Sequence, residues 1–316
     1  MPSPLAGRDL LRLFDLTVDE LRLVLDTAHA DKARWQSDFQ AALAEAPCAG
    51  RAVAVILEKP SLRTRVSFEA GIVRLGAHPA IMGGSDSAFS RGESIKDTVM
   101  VLERYVAAIV IRTFAQAKAN EIAHWAKVPV VNALTDDFHP CQGLADLMTI
   151  EEELGDLAKL KLAYVGDGSN NMTHTYLEGC ALTGMGLSIA SPPEYRPKPQ
   201  YLNEALAQAA KTGAQIEFVE SPEQAVEGAD VVITDTWTSM GEEEQQDLRA
   251  ALFEPYRVTG ELMAKANPSA VFMHCLPAHR GAEVTDEVMD APYSKIYNEA
   301  ENRLHVQQAL LKLLLC

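Results

Sequence analysis

The sequence predicts an α/β protein in which two lobes each contain a doubly wound parallel sheet, joined by interdomain helices. Two observations support this fold class. Apolar, β-branched runs typical of strands covered on both faces recur along the chain, and helical patterns separate them. The predicted strands cover residues 52–57, 107–111, 128–133, 162–165, 214–219, 230–234 and 270–273.

Three helical patterns indicate how the lobes are distributed along the chain. Residues 203–211 show helical spacing between two predicted strands, and residues 142–154 place four apolar side chains on one face. We expect the 142–154 helix to bridge the lobes, and a helix over 302–315 to pack back onto the first lobe. The first domain is predicted to cover 1–138 together with about 300–316, and the second 139–299.

Composition excludes several classes of partner. The 316 residues are 47% hydrophobic, enough to bury a large core, and the formal net charge is -16. A nucleic acid or an anionic membrane surface requires a clustered positive field, which this charge opposes. Residues 1–9 lack the regions of a signal peptide, and no uncharged run approaches the ~18 residues of a membrane span. We therefore expect a soluble cytoplasmic protein with no nucleic-acid or membrane partner.

Cysteine and histidine spacing predicts no disulfide framework and no metal site. The five cysteines include no C-x-x-C pair, and His274 and His279 lack a carboxylate or thiolate set at metal-ligand spacing. Most of the cysteines are expected to be small core residues. Gly166-Asp167-Gly168 begins a dinucleotide fingerprint, but the third glycine is missing, which disfavours a nicotinamide cofactor.

Polar residues follow six of the seven predicted strands. Because ligands of open parallel sheets bind beyond the carboxyl ends of the strands, we expect these residues to line one cleft. They are Ser61 with Arg63, Arg112, His139 with Gln142, the 166–171 turn, Asp235, and His274 with Cys275. Any one of them alone is equally consistent with a helix cap or a polar loop tip.

The segment 59–65 places two hydroxyls and two guanidiniums on the turn between a predicted strand and a predicted helix. Backbone N–H groups at the helix start and the arginine forks suit a bound phosphate. The alternative is that Ser61 only caps the helix while Arg63 and Arg65 are solvated. This segment taken alone does not decide between the two interpretations.

The polar residues sort into two chemical sets. The first set suits a phosphate and a polarised carbonyl, and it consists of Ser61, Arg63, Thr64, Arg112, His139 and Gln142. The second set suits the ammonium and carboxylate of an amino acid, and it consists of Asn171, Asp235, Ser239 and Cys275.

Four motifs in order along the chain resemble the aspartate/ornithine carbamoyltransferase family. Residues 60–65 resemble its S-x-R-T-R loop, and residues 139–142 resemble its H-P-x-Q segment. Residues 235–241 resemble the D-x-W-x-S-M-G loop of the ornithine branch, and residues 274–277 match the H-C-L-P signature of that branch. One S-x-R-T-R loop alone would indicate only the superfamily, whereas four motifs cover essentially the whole chain.

The resemblance implies transfer of the carbamoyl group from carbamoyl phosphate to L-ornithine, without metal or organic cofactor, by a homotrimer or a multiple of trimers. The implied carbamoyl phosphate ligands are Ser61, Leu62, Arg63, Thr64, Arg112, His139, Pro140, Cys141, Gln142, Cys275, Leu276 and Arg303. The implied ornithine ligands are Asn171, Asp235, Ser239 and Met240. The implied catalytic residues are Arg112, His139, Asp235 and Cys275.

Cys275 is expected to move a proton rather than to act as a nucleophile. The δ-amine of ornithine has a pKa near that of lysine, ~10.4, so it must lose a proton before it attacks. A thiol with a reference pKa of ~8.5 can accept or relay that proton, and Asp235 can orient the amine. The alternative is a thiol that is merely packed at a strand end.

Two positions depart from the family pattern. Leu62 stands where the S-x-R-T-R loop often has threonine, so one hydroxyl contact is missing while the backbone N–H remains. Ala88 stands where many relatives have a glutamine that reaches the carbamoyl phosphate of a neighbouring subunit, and Arg91 is the candidate to replace that contact.

Several rival functions stay open. Aspartate as second substrate is disfavoured because residues 239–241 and Cys275 supply no positive group for its side chain. Acetylornithine and putrescine are closer competitors, although putrescine needs no α-carboxylate binder. From other classes, a catalytically silent carbamoyl phosphate binder and a nucleotide-dependent dehydrogenase are the alternatives.

Overall fold

A computed structural model of the protein describes residues 3–83, 92–237 and 246–316. The chain divides into two compact units. Unit 1 contains Met1–Met148 and Glu301–Cys316, and unit 2 contains Thr149–Ala300. Within the described ranges, every helix is too short or too polar to span a membrane.

Unit 1 is built around a four-stranded parallel sheet in the order β2-β1-β3-β4. The strands are β1 (Ala52–Leu57), β2 (His78–Gly83), β3 (Ala108–Arg112) and β4 (Val130–Leu134). Its helices are α1 (Val18–Ser37), α2 (Phe39–Glu45), α3 (Leu62–Arg74), α4 (Ile95–Leu102) and α5 (Gln116–Trp125). Helices α6 (Pro140–Leu154) and α13 (Ile296–Leu315) each cross the division between the units.

Unit 2 is built around a five-stranded parallel sheet in the order β7-β6-β5-β8-β9. The strands are β5 (Lys161–Val165), β6 (Gly186–Ala190), β7 (Ile216–Val219), β8 (Val231–Ile233) and β9 (Val271–Met273). The helices are α7 (Asn171–Thr183), α8 (Pro199–Thr212), α9 (Pro222–Val226), α10 (Gln246–Phe253), α11 (Gly260–Met263) and α12 (Asp286–Met289).

The central strands are apolar without alternation because both of their faces are covered. Val53 to Leu57 of β1 and all five residues of β3 are buried, so neighbouring residues that point to opposite faces are equally shielded. Strand β5 of unit 2 shows the same pattern from Leu162 to Val165. Burying each such Val, Ile or Leu side chain contributes roughly 1.5–3 kcal/mol to stability.

The predicted α/β class with two parallel sheets is confirmed, but two strands were missed. The sequence analysis did not identify β2, an edge strand that contains Pro79 and is only partly buried. Proline lacks a backbone N–H and is tolerated at a sheet edge, so this strand has no apolar signature. It also missed β6, whose fully buried Ser188 interrupts the apolar run.

The terminal helix packs on unit 1, as the sequence predicts. Lys312 donates to Asp31 of α1 at 2.8 Å, and Asn302 accepts from Lys32 at 2.8 Å. Helix α13 also begins six residues earlier than the predicted start at 302. The first division of the chain falls after Met148, inside α6, whereas the predicted domain boundary lies after residue 138.

Candidate active site

In unit 1, the carboxyl ends of three adjacent strands bring polar residues to one edge of the sheet. The register pairs Leu57 of β1 with Arg112 of β3, and Arg112 with Leu134 of β4. Ser61 follows β1, and His139 follows β4 directly before α6. The sheet topology therefore positions three of the predicted site residues from separate parts of the sequence.

Ser61 caps helix α3 from the N-cap position. Its Oγ accepts the Thr64 backbone N–H at 3.2 Å and lies 3.1 Å from the Thr64 hydroxyl. Arg63 is partly buried, whereas Arg65 is exposed and 3.9 Å from Glu69. Ser61 is thus an N-cap and Arg65 is exposed to solvent, while the charge of Arg63 acts on the histidine described below.

Arg303 of α13 joins this edge from the far end of the chain. Its guanidinium donates to the Gln142 side-chain oxygen at 2.7 Å and to the Thr64 hydroxyl at 3.3 Å. The Gln142 amide nitrogen in turn donates to Asp146 at 2.8 Å. All three side chains that meet here, Arg303, Gln142 and Thr64, are buried. We call the set Ser61, Arg63, Thr64, Arg112, His139, Gln142 and Arg303 the anion cluster.

The anion cluster keeps His139 neutral. Burial lowers the pKa of His139 well below its usual value, and the positive charges of Arg303, Arg112 and Arg63 lower it further. A neutral imidazole has one N–H that can donate to a carbonyl oxygen without adding a fourth positive charge. The positive field that disfavours protonation of His139 is the same field that favours an anionic ligand.

Two predicted ligands in unit 1 do not direct their side chains to this cluster. Leu62 is 76% exposed, so only its backbone is available for binding. The Cys141 thiol is fully buried and donates to the Asn132 carbonyl at 3.5 Å. Burial raises the pKa of Cys141 to about 12, which marks a neutral thiol of the core. Pro140 is the first residue of α6.

In unit 2, Asp235 follows β8 and is the hub of a second set of side chains. The Cys275 thiol donates to one carboxylate oxygen of Asp235 at 3.3 Å, and the Thr236 N–H donates to the same oxygen at 2.8 Å. The Asn170 amide donates to the other oxygen at 3.3 Å and to the Tyr164 hydroxyl at 2.9 Å. Asn170 is also the N-cap of α7, with its side chain accepting the Thr173 N–H.

His274 orders the loop that presents Cys275. Its Nδ1 accepts the Leu276 N–H at 2.9 Å, so the proton lies on Nε2 and is donated to Glu283 at 3.3 Å. The His274 backbone N–H donates to Glu299 at 2.9 Å. Leu276 adopts a φ of 57°, a left-handed conformation that is uncommon for leucine and is held here by the imidazole. We call Asn170, Asp235, His274, Cys275 and Glu283 the carboxylate-thiol cluster.

The surroundings of Asp235 affect its pKa in opposite directions. Burial raises the pKa of Asp235, while His274, the Thr236 N–H and the Cys275 thiol each act to lower it. Burial dominates, so the ionised carboxylate is more basic than a solvated aspartate. This carboxylate can take a share of a proton from the thiol or stabilise a cationic amine beside it.

Asp235, His274 and Cys275 can also be considered as metal ligands. Within the described residues they form a group whose ligand atoms all lie within 4.8 Å of one another. Both ring nitrogens of His274 are already engaged, one by the Leu276 N–H and the other by Glu283. A metal ion on Nδ1 would have to displace the Leu276 N–H at 2.9 Å, so the hydrogen bond that orders this loop competes with a metal here.

A buried ion pair anchors the chain beside Asp235. Arg249 of α10 donates to the Asp167 carboxylate and to the Trp237 carbonyl. Asp167 also accepts from the Ser169 N–H at 2.8 Å. Because both Arg249 and Asp167 are buried, this pair fixes Trp237 and the turn before α7 in the core of unit 2.

Several predicted residues are not tested by these contacts. Ser239 and Met240, as well as Ala88 and Arg91, lie outside the described residues. Asn171 is the first residue of α7 and is partly buried. The single cleft predicted from the six strand ends, and contacts of Cys275 and Leu276 to carbamoyl phosphate, stay predictions.

Sequence reasoning missed Glu283 and Arg249 as parts of the candidate site, and it included Asn170 only as a member of the 166–171 turn. Asn170 had a usable signal, because an asparagine directly before a helix start is a favoured N-cap and lies at the end of β5. Glu283 and Arg249 lie eight and fourteen positions after Cys275 and Asp235, inside ordinary polar segments. Only the folded chain shows that they are buried against His274 and Asp167.

Comparison with known proteins shows that both halves of the chain match domains of one protein family. Residues 8–152 match the carbamoyl-P binding domain of aspartate/ornithine carbamoyltransferase, and residues 158–314 match its Asp/Orn binding domain. The ornithine carbamoyltransferase of Carboxydothermus hydrogenoformans is 47% identical over 309 residues, covering 98% of each chain. That of Rhodococcus opacus is 50% identical over 306 residues, covering 96% of this chain and 95% of the relative.

Solved structures agree with this placement. The ornithine carbamoyltransferase of Pyrococcus furiosus superposes with a TM-score of 0.94 at 43% identity, covering 100% of this chain and 99% of its own. The anabolic ornithine carbamoyltransferase of Campylobacter jejuni superposes at 0.89 with 36% identity, covering 96% and 97%. Fold and motifs define a two-domain carbamoyl transferase. The chain belongs to the aspartate/ornithine carbamoyltransferase family.

Proposed function

We propose that the protein transfers the carbamoyl group of carbamoyl phosphate to the δ-amine of L-ornithine, giving L-citrulline and phosphate. The observation that supports this most directly is the pairing of two different clusters in one chain. Three arginines surround a neutral histidine in unit 1, and a carboxylate accepts from a thiol in unit 2. The curated relatives at 47–50% identity have the same activity in their names.

The anion cluster accounts for binding and activation of carbamoyl phosphate. Arg63, Arg112 and Arg303 offset the phosphate charge, and the start of α3 offers backbone N–H groups. The neutral His139 and Arg112 donate to the carbonyl oxygen, on which negative charge develops when the amine attacks. Leu62 contributes its backbone, and Pro140, Cys141 and Gln142 shape the wall that follows His139.

The carboxylate-thiol cluster accounts for the nucleophile. Asp235 offers a carboxylate to the cationic ornithine side chain, and Asn171, Ser239 and Met240 bind its α-amino and α-carboxylate groups. Cys275 passes its proton to Asp235, to which it already donates at 3.3 Å, and the thiolate left behind takes the proton that the δ-amine must lose. The neutral amine then forms the new C–N bond as the C–O bond to phosphate breaks, and the Leu276 carbonyl accepts from the amine.

The wider setting is part of the same proposal. We place the protein in the cytoplasm, in arginine biosynthesis, with a first domain that binds carbamoyl phosphate and a second that binds ornithine. Neither a metal nor an organic cofactor takes part. Support comes from the similar Campylobacter jejuni enzyme, which is described as anabolic, and from His274, whose ring nitrogens are both engaged.

A homotrimer, or a multiple of trimers, is proposed as the assembly. Helix α3 exposes Leu62, Val66 and Val73, each by more than half of its surface, which is unusual for apolar side chains of a surface helix. Light scattering should give a mass of three times 34.4 kDa, or a multiple of that. A monomer at micromolar concentration would contradict the proposed assembly.

The substrate assignment is tested by offering ornithine, acetylornithine, putrescine and aspartate in parallel with carbamoyl phosphate. We expect carbamoylated product and stoichiometric phosphate release with ornithine, and much slower release with the other three. An exposed control variant, Arg280→Met, should behave like the wild type because the Arg280 guanidinium pairs with the exposed carboxylates of Asp286 and Asp290. The absence of product with ornithine would overturn the proposal. Equal rates with ornithine and putrescine would contradict the proposed contacts to the α-carboxylate.

A further inference from the structure

Two free cysteines of unit 1 meet although they lie 268 positions apart in the sequence. The sulfurs of Cys48 and Cys316 are 3.3 Å apart. Cys48 lies in the turn before β1 and is fully buried, whereas Cys316 follows α13 and is exposed. Neither residue belongs to the anion cluster or to the carboxylate-thiol cluster.

The backbone on both sides of this pair is anchored. The Cys48 N–H donates to the Leu75 carbonyl at 2.9 Å. The end of α13 is held by Gly7, whose N–H donates to the Leu314 carbonyl at 3.0 Å, and by the Arg51 guanidinium, which donates to the Leu315 carbonyl. The two thiols are therefore held next to each other by contacts that do not depend on the sulfurs.

The distance between the sulfurs is short enough for bond formation. A disulfide requires about 2.05 Å between the sulfurs, so they must approach by about 1.2 Å, which side-chain rotation can supply. The present contact is a weak hydrogen-bonded one, and the Cys316 thiol is also 3.3 Å from the Pro47 carbonyl.

We propose that Cys48 and Cys316 are an oxidation site at which a low-molecular-weight disulfide, such as oxidised glutathione, closes a reversible intramolecular disulfide. The exposed Cys316 thiolate attacks one glutathione sulfur and releases the other glutathione, which takes up a proton. The Cys48 thiolate then attacks the Cys316 sulfur and releases the second glutathione. Two protein thiols are oxidised, and one glutathione disulfide is reduced to two thiols.

The charges around the pair favour the first step, whereas the burial of Cys48 slows the second. Arg51 and Lys312 lie close enough to oppose the rise in the pKa of Cys48, and they also attract an anionic disulfide. Lys312 is itself paired with Asp31 of α1, and Arg34 of α1 is paired with Glu45 of α2 on the same side. Burial, followed by the contact with Cys316, raises the pKa of Cys48 to about 12.

The disulfide would link the end of α13 covalently to the turn before β1. That helix holds Arg303 against Gln142 and Thr64, and its last turn lies beside Cys48. A bond that closes so long a loop restricts the unfolded chain strongly. We expect oxidation to raise the midpoint of thermal unfolding by roughly 5 °C or more.

The test is to incubate the full-length protein with oxidised glutathione and to follow its intact mass and its non-reduced peptide map. We expect a transient glutathione adduct at Cys316, then a product that has lost two hydrogens and that links the Cys48 and Cys316 peptides. Closure should accelerate about tenfold per pH unit, since the thiolate of Cys48 is scarce at neutral pH. Added dithiothreitol should reverse both changes.

Two variants act as matched controls, and both should retain basal activity. Cys48→Ala should stop at the glutathione adduct, and Cys316→Ser should form neither adduct nor link at these positions. A wild type that stops at the adduct, links two chains through Cys316, or leaves Cys316 unmodified overturns the proposed site. A linked product whose unfolding midpoint equals that of the reduced protein contradicts the expected stabilisation by the disulfide.

Discussion

The two units use buried arginine in opposite ways. In unit 1, Arg303 donates to the neutral oxygens of Gln142 and Thr64, and its charge contributes to the field that keeps His139 unprotonated. In unit 2, the buried Arg249 is matched by the Asp167 carboxylate. The arginine charges of unit 1 thus act on a buried imidazole, whereas the charge of Arg249 acts on a buried carboxylate. A local positive field of the first kind can favour a phosphate compound even in a chain of net charge -16.

The largest expected effect concerns the thiol in unit 2. Cys275→Ser should lower turnover about 10²–10⁴-fold, because a hydroxyl is a far weaker acid than a thiol and does not release its proton to Asp235 to accept that of the amine. Steady-state rates across pH 6 to 10 check this, and the pH profile should change shape as well as height. Cys180→Ala, which removes another buried thiol of the same unit, is the control and should retain activity. Unchanged turnover of the Cys275→Ser variant across this pH range would contradict the proposed proton relay through Cys275.

The matched ion pair of unit 2 should matter for stability. Arg249→Met leaves Asp167 buried without its counter-charge and should destabilise unit 2 by about 3–5 kcal/mol. Trp237 reports on this unit when Trp35 and Trp125 are replaced by phenylalanine, so urea unfolding followed by its fluorescence gives the free energy. The exposed Arg280→Met should cost no more than about 1 kcal/mol. Equal costs for the two variants would show that the burial of the Arg249–Asp167 pair makes no difference to the stability of unit 2.

The charge of Arg303 in unit 1 should contribute to catalysis. Arg303→Met should lower kcat/KM for carbamoyl phosphate about 10²–10³-fold, with a smaller effect on the KM for ornithine. Arg303→Lys should recover part of the loss, because it restores charge without the two-pronged geometry. Arg104→Met, an exposed variant of unit 1, is the matched control. If Arg303→Met weakened the binding of ornithine and left that of carbamoyl phosphate intact, Arg303 would belong to the ornithine site and the prediction would be wrong.

The smallest expected effect is the pH dependence that His139 gives to the stability of unit 1. Its pKa is lowered in the folded state, so below the unfolded value of about 6.5 only the unfolded chain takes up this proton. The free energy of unfolding should therefore decrease as the pH falls below 6.5, by up to about 1.4 kcal/mol per pH unit. Urea titrations of wild type and His139→Gln between pH 5 and 7.5 check this. Parallel pH dependences would show that His139 binds its proton equally in both states.

The sequence was sufficient for the features that depend on local pattern or on motifs. The central strands were predictable because a strand buried on both faces is a continuous apolar run, as in β1 and β3. The strands β2 and β6 were not, since Pro79 at an edge and a buried Ser188 remove that pattern. Position in the sheet, rather than composition, makes both residues acceptable there.

The candidate site divides in the same way. Residues within motifs, such as His139, Asp235 and Cys275, were predictable, and the structure brings Asp235 and Cys275 to 3.3 Å. Glu283 and Arg249 were not, because their importance comes from burial against His274 and Asp167 in the folded chain. An acidic or basic residue in a polar segment looks the same in sequence whether it is solvated or buried.

The placement of Arg303 on α13 has a consequence for synthesis of the chain. Unit 1 is encoded first, but its anion cluster lacks one arginine until the ribosome has passed through all of unit 2, residues 149–300. At about 5–20 residues per second, that interval is on the order of 8–30 s. A nascent or prematurely terminated chain would therefore hold an unfinished anion cluster, so that the order of translation itself delays competence for carbamoyl phosphate until the rest of the protein has been made.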